Sequence, residues 1–325
     1  MNAHHLVAAL LRCPRCLGRL ADPVADPDGS AAGTHCASCG VDYPSSAGII
    51  RFAAESYVES FGRQWNRYDV AREEEDASVF EVKTGQPAET LRGLAVLDAG
   101  CGGGRYARLV ARAGADVVGV DLSSAVEKAS ALCSEEPNAL IVQGDLLRLP
   151  LAPESFDFAF SIGVMHHGPD VRGAFREVAR RVKPGGRMAV WLYRRNTAPQ
   201  EWINQALRAI TTRLPAPMLE AISVALGVLG GIPVVNKTLN KVFNFSNHPD
   251  WTLRVCDNFD WYAPRYQSHH TESELRGWFE AEGFERIEAL APAKGGSFYD
   301  WAYRNNLIIG SGVNMVGVKR SRPTA

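Results

Sequence analysis

Apolar residues occur along this chain in short runs that alternate with helical patterns. Residues 171–182 place apolar side chains three and four positions apart, which is the spacing of one helix face. Five other runs have the length of buried strands, and they lie at residues 94–97, 117–120, Ala139–Gln143, Phe156–Ile162 and 187–193. Strands that alternate with helices predict a parallel sheet with helices on its faces.

The C-terminal part of the chain continues this alternation. Thr271 and Glu274 form the sequence pattern of a capping box, which predicts the start of a helix with an apolar face. Two more apolar runs, Phe284–Leu290 and 313–319, predict the last two strands.

A glycine-rich loop follows the first of the predicted strands. It reads Asp98-x-Gly100-x-Gly102-x-Gly104, and a second acid, Asp121, ends the next strand. Glycines let a ligand contact the backbone, and an acid at the end of the second strand accepts ribose hydroxyls. Asp98 disfavours a pyrophosphate at this loop but suits a ligand with an ammonium and a sulfonium group. An ordinary glycine turn of an α/β domain is the alternative.

Three further motifs follow this loop. Gly-Asp at residues 144–145 comes after the third strand, His-His at 166–167 comes after the fourth, and Lys-Pro-Gly-Gly at 183–186 precedes the fifth. This order of motifs resembles the class I S-adenosylmethionine-dependent methyltransferases. The resemblance is strong over residues 91–195 and rests on topology over 271–325.

The resemblance implies an α/β fold with a Rossmann-like, seven-stranded core over residues 91–196 and 271–325, whose last two strands are antiparallel. It implies S-adenosyl-L-methionine as the methyl donor. Asp98 and the glycine loop would hold the methionine end, Asp121 the ribose and Asp145 the adenine amino group. The residues expected at the cofactor are Asp98, Gly100, Gly102, Gly104, Asp121, Leu122, Asp145, Leu146, Ser161, Gln64 and Trp65.

Residues 53–90 are expected to form a helical linker that covers the cofactor site. Aromatic residues recur there with helical spacing, which predicts a helix over residues 55–75. Gln64 and Trp65 either contact the cofactor or pack within this helix, and both alternatives stay open. Tyr57 and Phe61 are interpreted as packing residues.

Four cysteines near the N-terminus form two Cys-x2-Cys pairs with 19 residues between them. The pairs are Cys13 with Cys16 and Cys36 with Cys39, and this spacing is typical of a zinc site. Disulfides compete with this interpretation, but residues 1–20 lack the apolar core of a signal peptide, and a reducing compartment favours zinc. Four thiolates leave no open coordination position, so one structural zinc ion is expected.

The ribbon formed by residues 1–52 also resembles known zinc ribbons. Such ribbons precede the methyltransferase domain in some ribosomal-RNA guanine methyltransferases, and they occur in small methyltransferase-partner proteins.

Residues 197–270 form a long insertion between the fifth strand and the last helix, where substrate specificity is expected. Residues 217–235 are apolar, but Glu220 and a glycine–proline break argue against a membrane-spanning helix. This segment is interpreted as a helical lid over the active site, with an apolar-substrate surface or a homodimer interface as alternatives. Residues 257–270 are rich in aromatics, histidines and acids, and they predict a loop that closes over the donor methyl group, while the insertion as a whole builds the acceptor pocket.

Histidines are the candidates for a catalytic base. Methyl transfer is an in-line displacement, and an acceptor that must lose a proton requires a base that works near neutral pH. His167 follows the fourth strand at the edge where donor and acceptor meet, and His270 lies in the insertion. These two are favoured, with His166 and Tyr262 as further candidates and a structural role as the alternative for His166.

The charge balance argues against one class of function, the binding of nucleic acid. The chain carries 35 Lys and Arg against 36 Asp and Glu, a formal net charge of −1, and therefore no overall basic surface for nucleic acid. The leading hypothesis is methyl transfer to an oxygen or nitrogen atom of a small biosynthetic molecule by a cytoplasmic enzyme without a transmembrane segment. One alternative is an RNA-base methyltransferase that binds RNA through the ribbon. The other is a non-catalytic, cofactor-binding partner protein.

Overall fold

The computed structural model describes residues 9–21, 24–25, 31–58, 62, 73–195, 198–232, 234–235, 245–290 and 312–321. A small N-terminal sheet contains β1 (Val24–Ala25), β2 (Ala31–His35), β3 (Asp42–Ser46) and β4 (Ile49–Ile50). A large sheet contains β5 (Ala95–Ala99), β6 (Asp116–Asp121), β7 (Ala139–Gln143), β8 (Phe156–Ile162), β9 (Val182–Tyr193), β10 (Phe284–Leu290) and β11 (Gly312–Lys319). The helices are α1 (Glu73–Thr84), α2 (Arg105–Arg112), α3 (Val126–Leu132), α4 (Val171–Ala179), α5 (Ala198–Thr211), α6 (Ala216–Gly230), α7 (Trp251–Tyr262) and α8 (Glu272–Ala281).

The large sheet has the strand order β10-β11-β9-β8-β5-β6-β7. Strands β9, β8, β5, β6 and β7 are parallel, whereas β11 runs antiparallel to both β9 and β10. The predicted seven-stranded core with an antiparallel pair at one edge is therefore confirmed. The chain passes from β5 to β6 on one side and later to β8 on the other, so a crevice opens at the carboxyl ends of β5 and β8.

The central strands are buried on both faces, because helices cover the sheet from each side. On β5, Val96 belongs to one core cluster and Leu97 to the other, and Val117 and Val118 alternate in the same way on β6. Such strands read as uninterrupted apolar runs, which explains why the sequence predicts them with nearly the observed bounds. The exception is β9, which already begins at Val182 because α4 ends at Ala179.

The small sheet packs against the large sheet at the edge strand β7. Leu11 bridges Leu151, and Arg51 bridges Gln143. The backbone N–H of Phe52 donates to the carbonyl of Gln143 at 2.8 Å. The N-terminal unit therefore extends the hydrogen bonding of β7 and covers an edge that would otherwise be open.

The helix predicted over residues 55–75 begins later than expected. Residues 55–58 are not helical, whereas Gly62 is helical and its N–H donates to the carbonyl of Val58 at 3.2 Å. The next described helical residues are those of α1, from Glu73. Glu55 instead accepts hydrogen bonds from the backbone N–H and the hydroxyl of Ser124, at 3.0 and 3.3 Å, which fixes this segment against the turn after β6. Residues 59–61 and 63–72 lie outside the described part of the chain.

The loop predicted over residues 257–270 is helical in its first half, because α7 extends to Tyr262. Asp250 caps this helix by accepting the N–H of Leu253 at 3.0 Å. Leu253, Cys256 and Phe259 are buried at helical spacing. Acidic residues between these apolar positions obscure the helical period in the sequence.

The apolar segment at 217–235 is largely helical, as α6. This helix packs on α7, where Gly227 faces Val255. Its other side leaves Met218, Val224 and Val228 exposed. None of the described helices is long and apolar enough to span a membrane.

Candidate active site

A cavity of about 240 Å³ lies at the carboxyl ends of the parallel strands. Its two ends are formed by different strands of the sheet. The loop end, beside β5, β6 and β7, is lined by residues 100–103, Asp121, Leu122, Asp145, Leu146 and Tyr57. The histidine end, beside β8, β9 and α7, is lined by His167, Trp191, Tyr193, Asp257, Asp260 and Lys83.

The glycine loop turns sharply at the end of β5. Gly100 has a φ of +93° and its N–H donates to the carbonyl of Val120 at 2.7 Å. A Cβ at Gly100 would overlap the side chain of Val164, so glycine is required here by space as well as by conformation. The loop backbone is thereby held at the cavity wall, where a ligand can reach it.

Asp121 ties the glycine loop to the turn after β6. Its carboxylate accepts the N–H of Gly102 at 2.9 Å, and the N–H and hydroxyl of Ser123 at 2.8 and 2.7 Å. Burial raises the pKa of Asp121, and these hydrogen bonds act in the opposite direction. The carboxylate therefore has a fixed orientation at the cavity wall.

Asp98 is buried next to the cavity and is not part of its wall. The residue is 2% exposed, and its Oδ2 atom has no hydrogen-bond partner among the described residues. Burial, followed by the charge of Asp121, raises the pKa of Asp98 well above its ordinary value. Such a buried acid next to the loop suits a positively charged ligand group, as expected for an amino-acid ammonium.

Asp145 and Tyr57 form the far wall of the loop end. Asp145 caps the short 3-10 helix Leu146–Arg148 by accepting the N–H of Leu147 at 2.9 Å. Tyr57 packs edge-on against Tyr266, with ring centroids 5.5 Å apart. Burial, followed by the charges of Asp145 and Asp121, raises the pKa of Tyr57, so its hydroxyl stays protonated. Tyr57 was interpreted from sequence as a packing residue, and its place in the wall was missed.

His167 is the histidine that faces the cavity. It belongs to the 3-10 turn Met165–His167 after β8 and is 4% exposed. Its Nδ1 atom donates to the carbonyl of Tyr266 at 3.2 Å, because a carbonyl can only accept. Nε2 is then the proton-accepting nitrogen, and it lies 3.7 Å from Oδ2 of Asp260.

Asp260 is held between His167 and Tyr193. The hydroxyl of Tyr193 donates to Oδ2 of Asp260 at 2.6 Å. Burial, followed by Asp260, raises the pKa of Tyr193 well above its ordinary value, so the hydroxyl remains a donor. Asp257 and Asp260 are three residues apart in α7 and so lie on one face of that helix, whereas the sequence predicts a loop for both.

Lys83 enters the same end of the cavity from α1. Its Nζ atom lies 4.0 Å from the ring centroid of Trp191, which is a cation–π geometry. Burial, followed by Arg105, lowers the pKa of Lys83 to about 7, whereas Asp257 and Asp260 act in the opposite direction. No sequence motif marks this lysine, and sequence reasoning missed it.

The chain is similar in sequence to known methyltransferases. Residues 97–190 match the family model described as "Methyltransferase domain". A sterol 24-C-methyltransferase of Gibberella zeae is 32% identical over 179 residues, 53% of this chain and 45% of that protein. A ubiquinone biosynthesis O-methyltransferase of Ralstonia nicotianae is 31% identical over 145 residues, 44% of this chain and 61% of that protein. A malonyl-[acyl-carrier protein] O-methyltransferase of Pseudescherichia vulneris is 31% identical over 184 residues, 54% of this chain and 70% of that protein.

The chain belongs to the S-adenosylmethionine-dependent methyltransferase family. It spans about half the length of the sterol relative. The glycine loop, Asp121 and Asp145 lie at one end of the cavity, and His167 lies at the other.

Several residues predicted at the methyltransferase site lie elsewhere. His270 is outside the cavity wall, with its ring 5.0 Å from that of Trp278 and its Nε2 atom 2.9 Å from the hydroxyl of Ser268. Tyr262 is buried in α7 and is not part of the wall either. Because neither residue faces the cavity, these placements do not support their predicted catalytic roles.

His166, Ser161 and Gly104 do not line the cavity either. His166 is fully buried and stacks on Tyr193 at 3.9 Å, and burial lowers its pKa well below its ordinary value. The hydroxyl of Ser161 donates to the carbonyl of Ala99 at 2.7 Å, between β8 and β5. Gly104 adopts a left-handed conformation at the start of α2 and packs against α3. Gln64 and Trp65 lie outside the described residues.

α6 contributes no residue to the cavity wall, so the lid interpretation is not supported for this helix. The neighbouring helix α7 supplies Leu253, Cys256, Asp257 and Asp260 instead. The two alternatives for α6, an interface or an apolar-substrate surface, stay predictions.

The four N-terminal cysteines form one cluster, whose sulfur atoms all lie within 4.8 Å of one another. Cys13 and Cys39 are 3.6 Å apart, and Cys16 and Cys36 are 3.5 Å apart. These separations are too long for a disulfide, at about 2.05 Å, and are close to the tetrahedral edge of about 3.8 Å around a metal with bonds of about 2.3 Å.

The two halves of the cysteine cluster have the same backbone turn. The N–H of Leu17 donates to the carbonyl of Cys13 at 2.8 Å, and the N–H of Gly40 donates to that of Cys36 at 2.9 Å. Both Leu17 and Gly40 have a positive φ. Burial raises the pKa of Cys13, but hydrogen bonds from Tyr43 and the backbone overcome this effect and lower it to about 6. The pKa of Cys36 is lowered as well, first by a backbone hydrogen bond, whereas the side-chain hydrogen bond with Cys36 raises the pKa of Cys16.

Proposed function

We propose that this protein transfers the methyl group of S-adenosylmethionine to an oxygen or nitrogen atom of a small molecule. The single observation that supports this proposal most is the continuity of the cavity. One wall carries the glycine loop, Asp121 and Asp145, and the opposite wall carries His167 and Asp260. Donor-binding groups and a proton acceptor therefore face the same enclosed space.

At the loop end, each polar group would bind a different part of the methyl donor. S-adenosylmethionine, when bound, supplies an electrophilic methyl group on a sulfonium. Asp121 would accept the ribose hydroxyls, and Asp145 would accept the adenine amino group. The backbone at residues 100–102 would contact the methionine end, with the buried carboxyl group of Asp98 close to its ammonium.

At the histidine end, His167 is the proposed base. The acceptor gives its proton to Nε2 of His167, and the freed electron pair forms the new bond to the methyl carbon as the bond from sulfur to that carbon breaks. The pair from the broken bond stays on sulfur. Asp260 then stabilises the imidazolium, and Tyr193 holds Asp260 in place through its hydroxyl.

Binding of S-adenosylhomocysteine, measured by calorimetry, tests the donor side. Asp121→Ala should weaken binding by about 1–3 kcal/mol, because ribose hydroxyls lose their acceptor. Asp116→Ala is the matched control, since Asp116 begins the same strand at the end away from the cavity. Equal affinity in wild type and Asp121→Ala, or no binding to wild type, would contradict the assignment.

We also propose that Cys13, Cys16, Cys36 and Cys39 bind one structural zinc ion. The support is the fit of the sulfur separations and of the two equivalent turns to a tetrahedral four-thiolate site. Metal analysis of dialysed protein should find one zinc per chain, and Cys36→Ser should lose it. Two disulfides in protein purified under reducing conditions would contradict this proposal.

A further inference from the structure

The histidine end of the cavity contains a lysine that the proposed transfer step does not use. Lys83 lies over the indole ring of Trp191 with a separation of 4.0 Å. Trp191 is fixed there by close packing against Gly163, where a Cβ would be 3.3 Å from the ring, and against Gly312. The ammonium group of Lys83 therefore lies on a rigid aromatic surface at the histidine end of the cavity, hereafter the chamber.

The other charged groups of this chamber have partners within the protein. Asp260 accepts the hydroxyl of Tyr193 at 2.6 Å. Asp257 accepts the hydroxyl of Ser246 at 2.7 Å. Arg105 donates to the buried carboxylate of Asp76 at 3.2 Å.

Lys83 differs from these groups. Among the described residues, no carboxylate oxygen lies within 4.0 Å of its Nζ atom. A cation in an enclosed, partly aromatic chamber gains much from an anionic partner, because burial weakens its hydration. Because Lys83 lines the cavity, an anionic ligand bound there can supply such a partner.

We propose that Lys83 binds an oxyanion of the methyl acceptor, and that the acceptor is a flat apolar molecule carrying a carboxylate or an acidic hydroxyl group. The flat apolar part follows from the aromatic and apolar side chains among the lining residues, which include Trp191, Tyr193 and Leu253. This inference rests on the proposed function, since it assigns the occupant of the acceptor side of that site. Lys83 is then a residue that determines specificity.

The test uses three benzene derivatives of similar size and different charge: benzoate, benzamide and benzylamine. Each is titrated into the full-length protein saturated with S-adenosylhomocysteine, which fills the donor side and leaves the acceptor side open. Wild type should bind benzoate at least about tenfold more tightly than benzamide, as is typical of a charge-assisted hydrogen bond. Benzylamine should bind most weakly.

Two substitutions at Lys83 separate charge from shape. Lys83→Met should remove the preference for benzoate over benzamide, and Lys83→Arg should restore part of it. Lys183→Met is the matched control, because Lys183 pairs with Asp157 at the opposite end of β9 and should leave the preference unchanged. If Lys83 had only a structural role, Lys83→Arg would not restore the preference for benzoate that Lys83→Met removes.

The outcomes distinguish this inference from the proposed function. Failure to bind S-adenosylhomocysteine would overturn the proposed function. Normal binding of S-adenosylhomocysteine with tighter binding of benzylamine, or with a benzoate preference that survives Lys83→Met, would overturn the assignment of Lys83 alone. The melting temperature of each variant shows whether it is folded.

Discussion

His167 reaches the cavity because a short turn ends β8, and Asp260 meets it from α7. If His167 is the base, His167→Ala should lower kcat by about 100-fold or more while the affinity for S-adenosylhomocysteine stays the same. The assay is production of S-adenosylhomocysteine with any acceptor that supports turnover.

His270→Ala is the informative comparison for that variant, because His270 was the other favoured histidine in the sequence. Its ring packs against Trp278 and not into the cavity, so kcat should change far less. A larger loss of kcat in His270→Ala than in His167→Ala, with both variants folded, would contradict the assignment.

The charge of Lys83 gives a pH dependence with a definite sign. Its pKa in the empty cavity is lowered to about 7, first by burial and then by Arg105. The protonated form attracts an anion, so benzoate should bind best below pH 7 and lose up to about tenfold in affinity per pH unit above it. Benzoate itself stays ionised in this range, since carboxyl groups titrate near about 4.

Lys83→Met provides the baseline for this pH series. The other titratable groups at this end of the cavity remain in that variant, and they are Arg105, Tyr106, His167, Tyr193, Cys256, Asp257 and Asp260. Benzoate affinity in Lys83→Met should therefore lack the decline above pH 7. The same decline in wild type and variant would assign the pH dependence to another group.

Residues with a local signal could be predicted, and residues placed by tertiary packing could not. Asp121 and Asp145 follow apolar strands in recognisable motifs, and both line the cavity. Lys83 sits in a helix of mixed charge, and Tyr57 sits in a non-helical segment. Only the packing of those segments over the sheet brings the two side chains to the cavity.

At the scale of elements, the N-terminal sheet is connected to the donor side through β7. Arg51 donates to the side-chain oxygen of Gln143 at 3.1 Å, and the amide nitrogen of Gln143 donates to the carbonyl of Leu122 at 2.8 Å. Leu122 lines the loop end of the cavity. The ribbon therefore supports the turn that carries Asp121.

This connection predicts that damage to the ribbon weakens donor binding. Cys36→Ser should lower both the melting temperature and the affinity for S-adenosylhomocysteine, and Gln143→Ala should lower the affinity by about fivefold, the effect of one hydrogen bond. Ser38→Ala, in the same turn as Cys36 and Cys39, is the control. Unchanged donor affinity in a variant whose ribbon has lost its metal would show that the two units act independently.

In the insertion, the sequence predicts a helix at α6 but a loop at the second half of α7. α7 carries buried apolar residues at helical spacing, but polar residues that face the cavity interrupt the pattern. α6 is apolar on most sides, so its sequence predicts a helix without indicating which face packs on α7. The face that a helix buries and the element it packs on are determined by the assembled fold.

At the scale of the whole molecule, the sheet topology places the site. The order of the parallel strands reverses between β5 and β8, and the cavity lies at their carboxyl ends. The sequence predicts this architecture because each parallel strand is a short apolar run and the glycine loop follows the first of them. It does not predict that the ribbon covers the β7 edge, because that contact joins segments far apart in the chain.

A crystal structure of the complex with S-adenosylhomocysteine tests the central claim most directly. The adenine should lie beside Asp145 and Tyr57 and the ribose at Asp121. The sulfur should be within about 8 Å of Nε2 of His167, which leaves room for a methyl group and one acceptor atom at contact distances of about 3 Å. A sulfur atom more than about 15 Å from His167, or a ligand bound outside this cavity, would contradict the account.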